Sequence, residues 1–200
     1  IEGVDKARVG AHLAVIQLLD QEAEQAIDTL RNTVGEGAEI PAALMQERRH
    51  LQARALSAID KVGEALALLE KDDTHEASLL RADINWRAEM WTEAAANFSK
   101  VFDDIDGDIS SEQQTLVMRH VVALMLSGDS SGLARVRARY SENMSASVYN
   151  NAFDLITKSA DNDDVPVHEL PRILANIEGA EAFLMTYRDS PPDNEASAVN

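Results

Sequence analysis

The sequence predicts an all-α protein, an α-solenoid of stacked antiparallel helix pairs with C-terminal capping helices. Three observations predict it. Alanine and leucine, both strong helix formers, dominate a chain of 200 residues that is 45% hydrophobic yet only 4% aromatic. Nine glycines and five prolines are too few to interrupt long helical runs. Apolar residues recur at helical spacing almost throughout, with short polar breaks between the runs.

The elements follow in order. Val9, Leu13, Ile16 and Leu19 form a first apolar stripe, and Ala23, Ala26, Ile27 and Leu30 a second, with the polar hinge "DQEAEQ" between them. "GEGAEIP" at 35–41 supplies a stop in Gly35 and Gly37 and a start in Pro41. Leu44, Arg48, Leu51, Ala55 and Ala58 then share one face, "DKVG" at 60–63 breaks the run, and Ala65, Leu66, Leu68 and Leu69 resume it. Helical runs at 75–102 and on both sides of Gly128 come next. "SASVYNNAFDLITKS" at 145–159 reads as a helix, 161–166 as a loop, and 167–188 as two helices meeting near Gly179. Phe153, Ile173, Ile177, Phe183 and Leu184 are expected to face inward. The expected organisation is a hairpin array of about four pairs over 1–141, capping helices over 142–188 and a disordered tail over 189–200.

The hinge-then-alanine pattern repeats as "AEQAIDTL", "VGEALALL", "WTEAAANF" and, more weakly, "SSGLARVR". The matching residues Ala26, Ala65, Ala94 and Leu133 are 39, 29 and 39 residues apart. In the unit at 75–102, Ala82 is small where two helices must approach, Trp91 precedes the second helix, and Ala94 with Phe98 makes an alanine-then-aromatic pair. Ala14 and Ala53 match Ala82, and Leu30 and Leu69 match Phe98. On these residues the chain resembles the tetratricopeptide repeat (TPR) family over roughly residues 7 to 141. It departs from the family in lacking the aromatic late in the first helix, where Gln17, Leu56, Asn85 and Leu124 stand, and the proline that ends each unit. The alanine-rich array with "EAFLMTYR" near its end is also similar to C-terminal parts of large bacterial repeat proteins.

Charge narrows the function classes. A net charge of −17 repels phosphate backbones and anionic bilayers, so nucleic-acid and membrane-surface roles are not expected. The longest apolar run, "VVALML" at 121–126, is too short to span a bilayer. Without cysteine there is no disulfide, thiolate nucleophile or zinc–thiolate site. The chain begins at Ile1 and reads as a piece of a longer protein, with cytoplasmic and periplasmic locations both open.

Three stretches invite a chemical reading. "DDIDGDISSE" at 103–112 places Asp104, Asp106 and Gly107 as in a calcium loop, but the first and twelfth ligand places fall on Phe102 and Gln113. The competing reading is a helix connection in which Gly107 turns the chain and Ser110 with Gln113 forms a capping box. "GDSSG" at 128–132 is similar to the nucleophile motif of chymotrypsin-like proteases, but it joins two helical runs, with Gly128 as a stop and Asp129 or Ser130 as a cap. Arg135, Arg137 and Arg139 are expected to spread around a helix and pair with nearby acids, or else to dock an acidic segment. The histidines lie far apart, with no zinc spacing, so no metal, cofactor or catalytic residue is assigned.

The resemblance implies a right-handed superhelix whose first helices line a concave groove that holds a peptide or helix of another protein, or of the parent chain. Carried onto this sequence, that face comprises His50, Arg54, Ser57, Asp83, Trp86, Arg87 and Met118. Arg54 and Arg87 are expected to hold a carboxylate and Trp86 to offer apolar contact. An interaction scaffold is therefore expected, with an architectural spacer as the alternative and calcium binding at 103–112 as a second alternative.

Overall fold

The computed structural model describes residues 3–34, 39–102 and 107–159. Every regular element among them is a helix: α1 (Val4–Leu19), α2 (Ala23–Asn32), α3 (Ala42–Ala58), α4 (Val62–Leu69), α5 (His75–Arg87), α6 (Trp91–Val101), α7 (Ser111–Ser127), α8 (Ser130–Ser145) and α9 (Asn150–Ser159). The chain divides into two compact units, Ile1–Asp104 and Ile105–Asn200, a division that the expected 1–141 array spans. Gly35, Gly37, Asp104, Asp106, the 161–188 segment with Ile173, Ile177, Phe183 and Leu184, and the 189–200 tail lie outside the described residues.

In the first unit each helix packs on the next, and α3 also packs on α1 and on α5. Small residues make the close approaches. Ala14, Ala53 and Ala82 in α1, α3 and α5 are fully buried, as are Ala26, Ala65 and Ala94 in α2, α4 and α6. Leu30, Leu69 and Phe98 follow four residues later and are buried as well. The large apolar stripe of α1 is turned the other way. Ala7, Gly10, Ala11 and Ala14 face the core, while Val9, Leu13, Ile16 and Leu19 are exposed. Gly10 shows why: a Cβ there would run into the Thr33 side chain, so only the narrow face of α1 fits.

One turn is used three times. Gln21, Asp60 and Glu89 join α1 to α2, α3 to α4 and α5 to α6, and each is left-handed, at φ 62°, 61° and 57°. The bonding is the same at each. The N–H of Gln21 donates to Leu18 O, that of Asp60 to Ser57 O, and that of Glu89 to Trp86 O. The next N–H reaches back to Gln17 O, Leu56 O and Asn85 O respectively. This is a helix C-terminal motif that normally carries glycine. Five residues beyond each turn residue stands the repeated alanine, so the alanine spacing is the spacing of the turns.

Successive hairpins are tied by arginine. Arg48 and Arg81 are each the seventh residue of their helix, α3 and α5. Arg48 is buried and donates to Ala7 O in α1 and Leu30 O in the last turn of α2. It also donates to Thr33 Oγ1 at 2.9 Å. Arg81 donates to Leu69 O at the end of α4 at 2.6 Å and to Asp72 O at 2.7 Å, and reaches Asn97 Oδ1 of α6 at 3.3 Å. Each thus reaches a carbonyl in the last turn of the preceding helix, Leu30 O and Leu69 O, where intrahelical donors run out.

In the second unit α7, α8 and α9 pack on one another. The capping box forms, with Ser110 and Gln113 each bonding the other's backbone. Gly128, at φ 75°, closes α7 with the same bonds as the three turns above, and Asp129 caps α8 by accepting from Gly132 N–H at 2.8 Å. Phe153 faces inward, as the sequence predicts, with Val117, Val121, Met144 and Ile156.

The turn geometry makes a stability prediction. A side chain at left-handed φ costs roughly 1–2 kcal/mol, partly offset in the glycine variant by the entropy of its unfolded chain. Glycine replacing Gln21, Asp60 or Glu89 is therefore expected to raise stability by about 0.5–1 kcal/mol each in urea titrations. Gly128→Ala, whose Cβ would meet nothing within 4 Å, is expected to lower it by about 1 kcal/mol.

Candidate functional site

An open cleft of about 430 Å³ lies between α3 and the start of α5, lined by Ala43, Gln46, Glu47, His50, Leu51 and Arg54 and by Thr74, Glu76 and Leu80. The α3 residues sit one turn apart along one face, as helical geometry requires. Leu51 and Leu80 are buried and give the cleft an apolar floor. Glu47 and Glu76 are exposed, and among the described residues neither lies in an ion pair.

Beside the cleft stands a buried carboxylate. The Asp72 side chain is only 4% exposed. It accepts from Thr74 Oγ1 at 2.6 Å, His50 Nε2 at 2.9 Å, Thr74 N–H at 3.2 Å, and Gln46 Nε2 at 3.2 Å to both oxygens. The Thr74 hydroxyl foremost, then His50, the Thr74 amide and Gln46, hold this carboxyl far below the usual carboxylate range, against the opposing effect of burial. Thr74 also caps α5 by accepting from Ala77 N–H. Asp72 therefore fixes α3 to the first turn of α5 and sets the orientation of Gln46 and His50.

The predicted site residues are distributed unevenly. His50 and Arg54 line the cleft. Ser57 is half-buried near the end of α3, beyond the cleft lining. Asp83 and Arg87 form an exposed i, i+4 ion pair at 3.1 Å, so Arg87 is already matched by a carboxylate within its own helix. Trp86 is half-buried and packs edge-on against Trp91 at 5.4 Å and Phe98 at 6.3 Å, as part of an aromatic cluster. Met118 departs from its expected place: it is fully buried in the second unit, because α7 packs on both α8 and α9 and buries most of its circumference.

Gln46, Glu47, Asp72, Thr74 and Glu76 were absent from the sequence-derived set. The signal that finds them is local: a polar stripe along α3 at helical spacing, and a threonine N-cap two residues after an aspartate.

Outside the cleft, the α8 arginines are locally paired. Arg135 lies 3.6 Å from Asp129, and Arg137 3.6 Å from Asp154 and 3.1 Å from Thr157 Oγ1. Arg139 stands over the Tyr140 ring at 5.3 Å. His12 and His75 are exposed. His120 is buried in α7; burial pushes its imidazole down to about 4, Asp129 opposing and Arg135 reinforcing. His168 and the acidic stretch 103–106 of the calcium alternative lie outside the described residues. Among the described residues no helix is long and apolar enough to cross a membrane, and no three His, Asp or Glu side chains converge as metal ligands would.

No family model matches the chain, nor does any curated protein or solved structure.

The Asp72 network gives the site its prediction. Asp72→Ala removes a buried acceptor of several hydrogen bonds to an ionised group and is expected to cost about 3 kcal/mol in chemical denaturation. Because the folded carboxyl has the lower pKa, this contribution is present in full above the unfolded value near 4 and is lost only as pH falls below it. The gap in stability between wild type and Asp72→Ala should therefore be constant from about pH 5 upward and shrink below about pH 4.

Proposed function

We propose that the chain is a protein-interaction module: a divergent relative of the TPR family whose hairpins stack as a solenoid, and which holds a segment of another protein in the cleft between α3 and α5. Three features support this reading. The same turn recurs in every hairpin of the first unit, the same arginine position links one hairpin to the next, and α1, α3 and α5 are in contact as the first helices of a stacked array would be. The observation that carries the functional part is the cleft itself, an apolar floor edged by polar side chains that the Asp72 network holds in place. Such preorganisation lowers the entropic cost of binding.

The lining also describes the partner. Glu47 and Glu76 form an acidic end and Arg54 a basic one, with Leu51 and Leu80 below. A segment carrying Lys or Arg over the two glutamates, with an apolar side chain next to it, matches that order of charges. The chemistry assigned to the cleft is recognition and not catalysis. Thr74, the one hydroxyl in the lining, donates to Asp72 itself and is not presented to a reactant.

Peptide display tests the reading. Sequences selected on the wild-type chain are expected to be enriched in a basic residue beside an apolar one, and to bind the Glu47→Lys/Glu76→Lys variant at least about 10-fold more weakly, a change of about 1.4 kcal/mol. Peptides that bind wild type and variant equally well would place recognition elsewhere and leave an architectural role as the better account.

A further inference from the structure

We propose that two copies of this chain pair through the outer face of α1, antiparallel about a two-fold axis. Of the large apolar side chains left exposed among the described residues, Val9, Leu13, Val15, Ile16 and Leu19 all lie on this one helix. Their exposures run from 38% to 66%; Val9, Leu13, Ile16 and Leu19 stand opposite the buried Ala7, Gly10, Ala11 and Ala14, and Val15 flanks them. An apolar helix face of this kind, on which only the exposed His12 stands among the large side chains, marks an interaction surface.

The charges around the stripe indicate a second copy as its occupant. The chain carries −17, so two copies repel over most of their surface. The α1 face carries none of that excess, since Asp5, Lys6 and Arg8 of the helix and Asp20 just past its end sum to zero. The order of those charges is self-complementary. A two-fold axis at the level of Leu13 sets Lys6 of one copy opposite Asp20 of the other. It sets Leu13 against its own counterpart and Val9 beside Ile16. An isologous contact requires this match of a surface with itself. A single helix pair is a small interface, so the dimer is expected to be weak and to depend on chain concentration.

Sedimentation equilibrium of the full chain from about 5 to 500 µM, between the micromolar and millimolar range of weak complexes, is the test. Wild type should shift from monomer to dimer within it. Leu13→Lys, an exposed position whose helix content is checked by circular dichroism, should remain monomeric throughout. Lys6→Asp should weaken the dimer several-fold, and Lys6→Asp with Asp20→Lys should restore it. A wild-type chain that stays monomeric at 500 µM, the top of that range, overturns the proposal. So does a dimer that Leu13→Lys leaves intact, association that runs on beyond a dimer, or a Lys6→Asp defect that the reciprocal Asp20→Lys does not rescue.

Discussion

A buried guanidinium cannot lose its proton and must find oxygen, and the first unit is arranged around two arginines that find it on the main chain. Arg48 is buried, and among the described residues no carboxylate lies in ion-pair range; its partners are the carbonyls of Ala7 and Leu30 and the Thr33 hydroxyl. Burial lowers its pKa while Glu47 raises it. The end of a helix suits such a cation, since its last carbonyls are unpaired and carry the negative end of the macrodipole. Arg81 repeats the device at the end of α4 with Leu69 O and Asp72 O. Each arginine belongs to the hairpin after the one it caps. A hairpin is thereby completed by its neighbour.

The cleft depends on the same joint. Asp72 gives its carbonyl to Arg81 and its carboxylate to Gln46, His50 and Thr74. One residue in the α4–α5 connection thus closes α4, starts α5 and anchors α3. The polar lining of the cleft is a consequence of how the second and third hairpins are fastened. Under the proposed function, binding there would act on the joint between hairpins.

Much of this was legible in the sequence, and for a physical reason. Ala26, Ala65 and Ala94 are identifiable because a close helix approach tolerates nothing larger, and Gly107, Ser110, Gln113 and Gly128 because turn and cap chemistry is local. Four things were not legible. The turn residues Gln21, Asp60 and Glu89 carry no glycine signal, since the surrounding bonds impose the left-handed backbone. The outward stripe of α1 looked like a core face because periodicity reports that a helix is amphipathic but not which face is buried; here Gly10 and three alanines won. Arg48 could be placed on an apolar stripe, yet its carbonyl partners lie 18 and 41 residues away in sequence. Met118 was misplaced because a helix buried on most sides has no groove face to assign.

If Arg48 fastens the first hairpin to the second, its loss should loosen the first hairpin ahead of the rest. Native-state hydrogen exchange on Arg48→Met tests it most directly, because methionine keeps the apolar bulk and removes only the donors. Amides of α1 and α2 are expected to lose about 2–3 kcal/mol of protection while those of α5 and α6 keep theirs. Equal loss across all six helices, or no loss in α1 and α2, would contradict it.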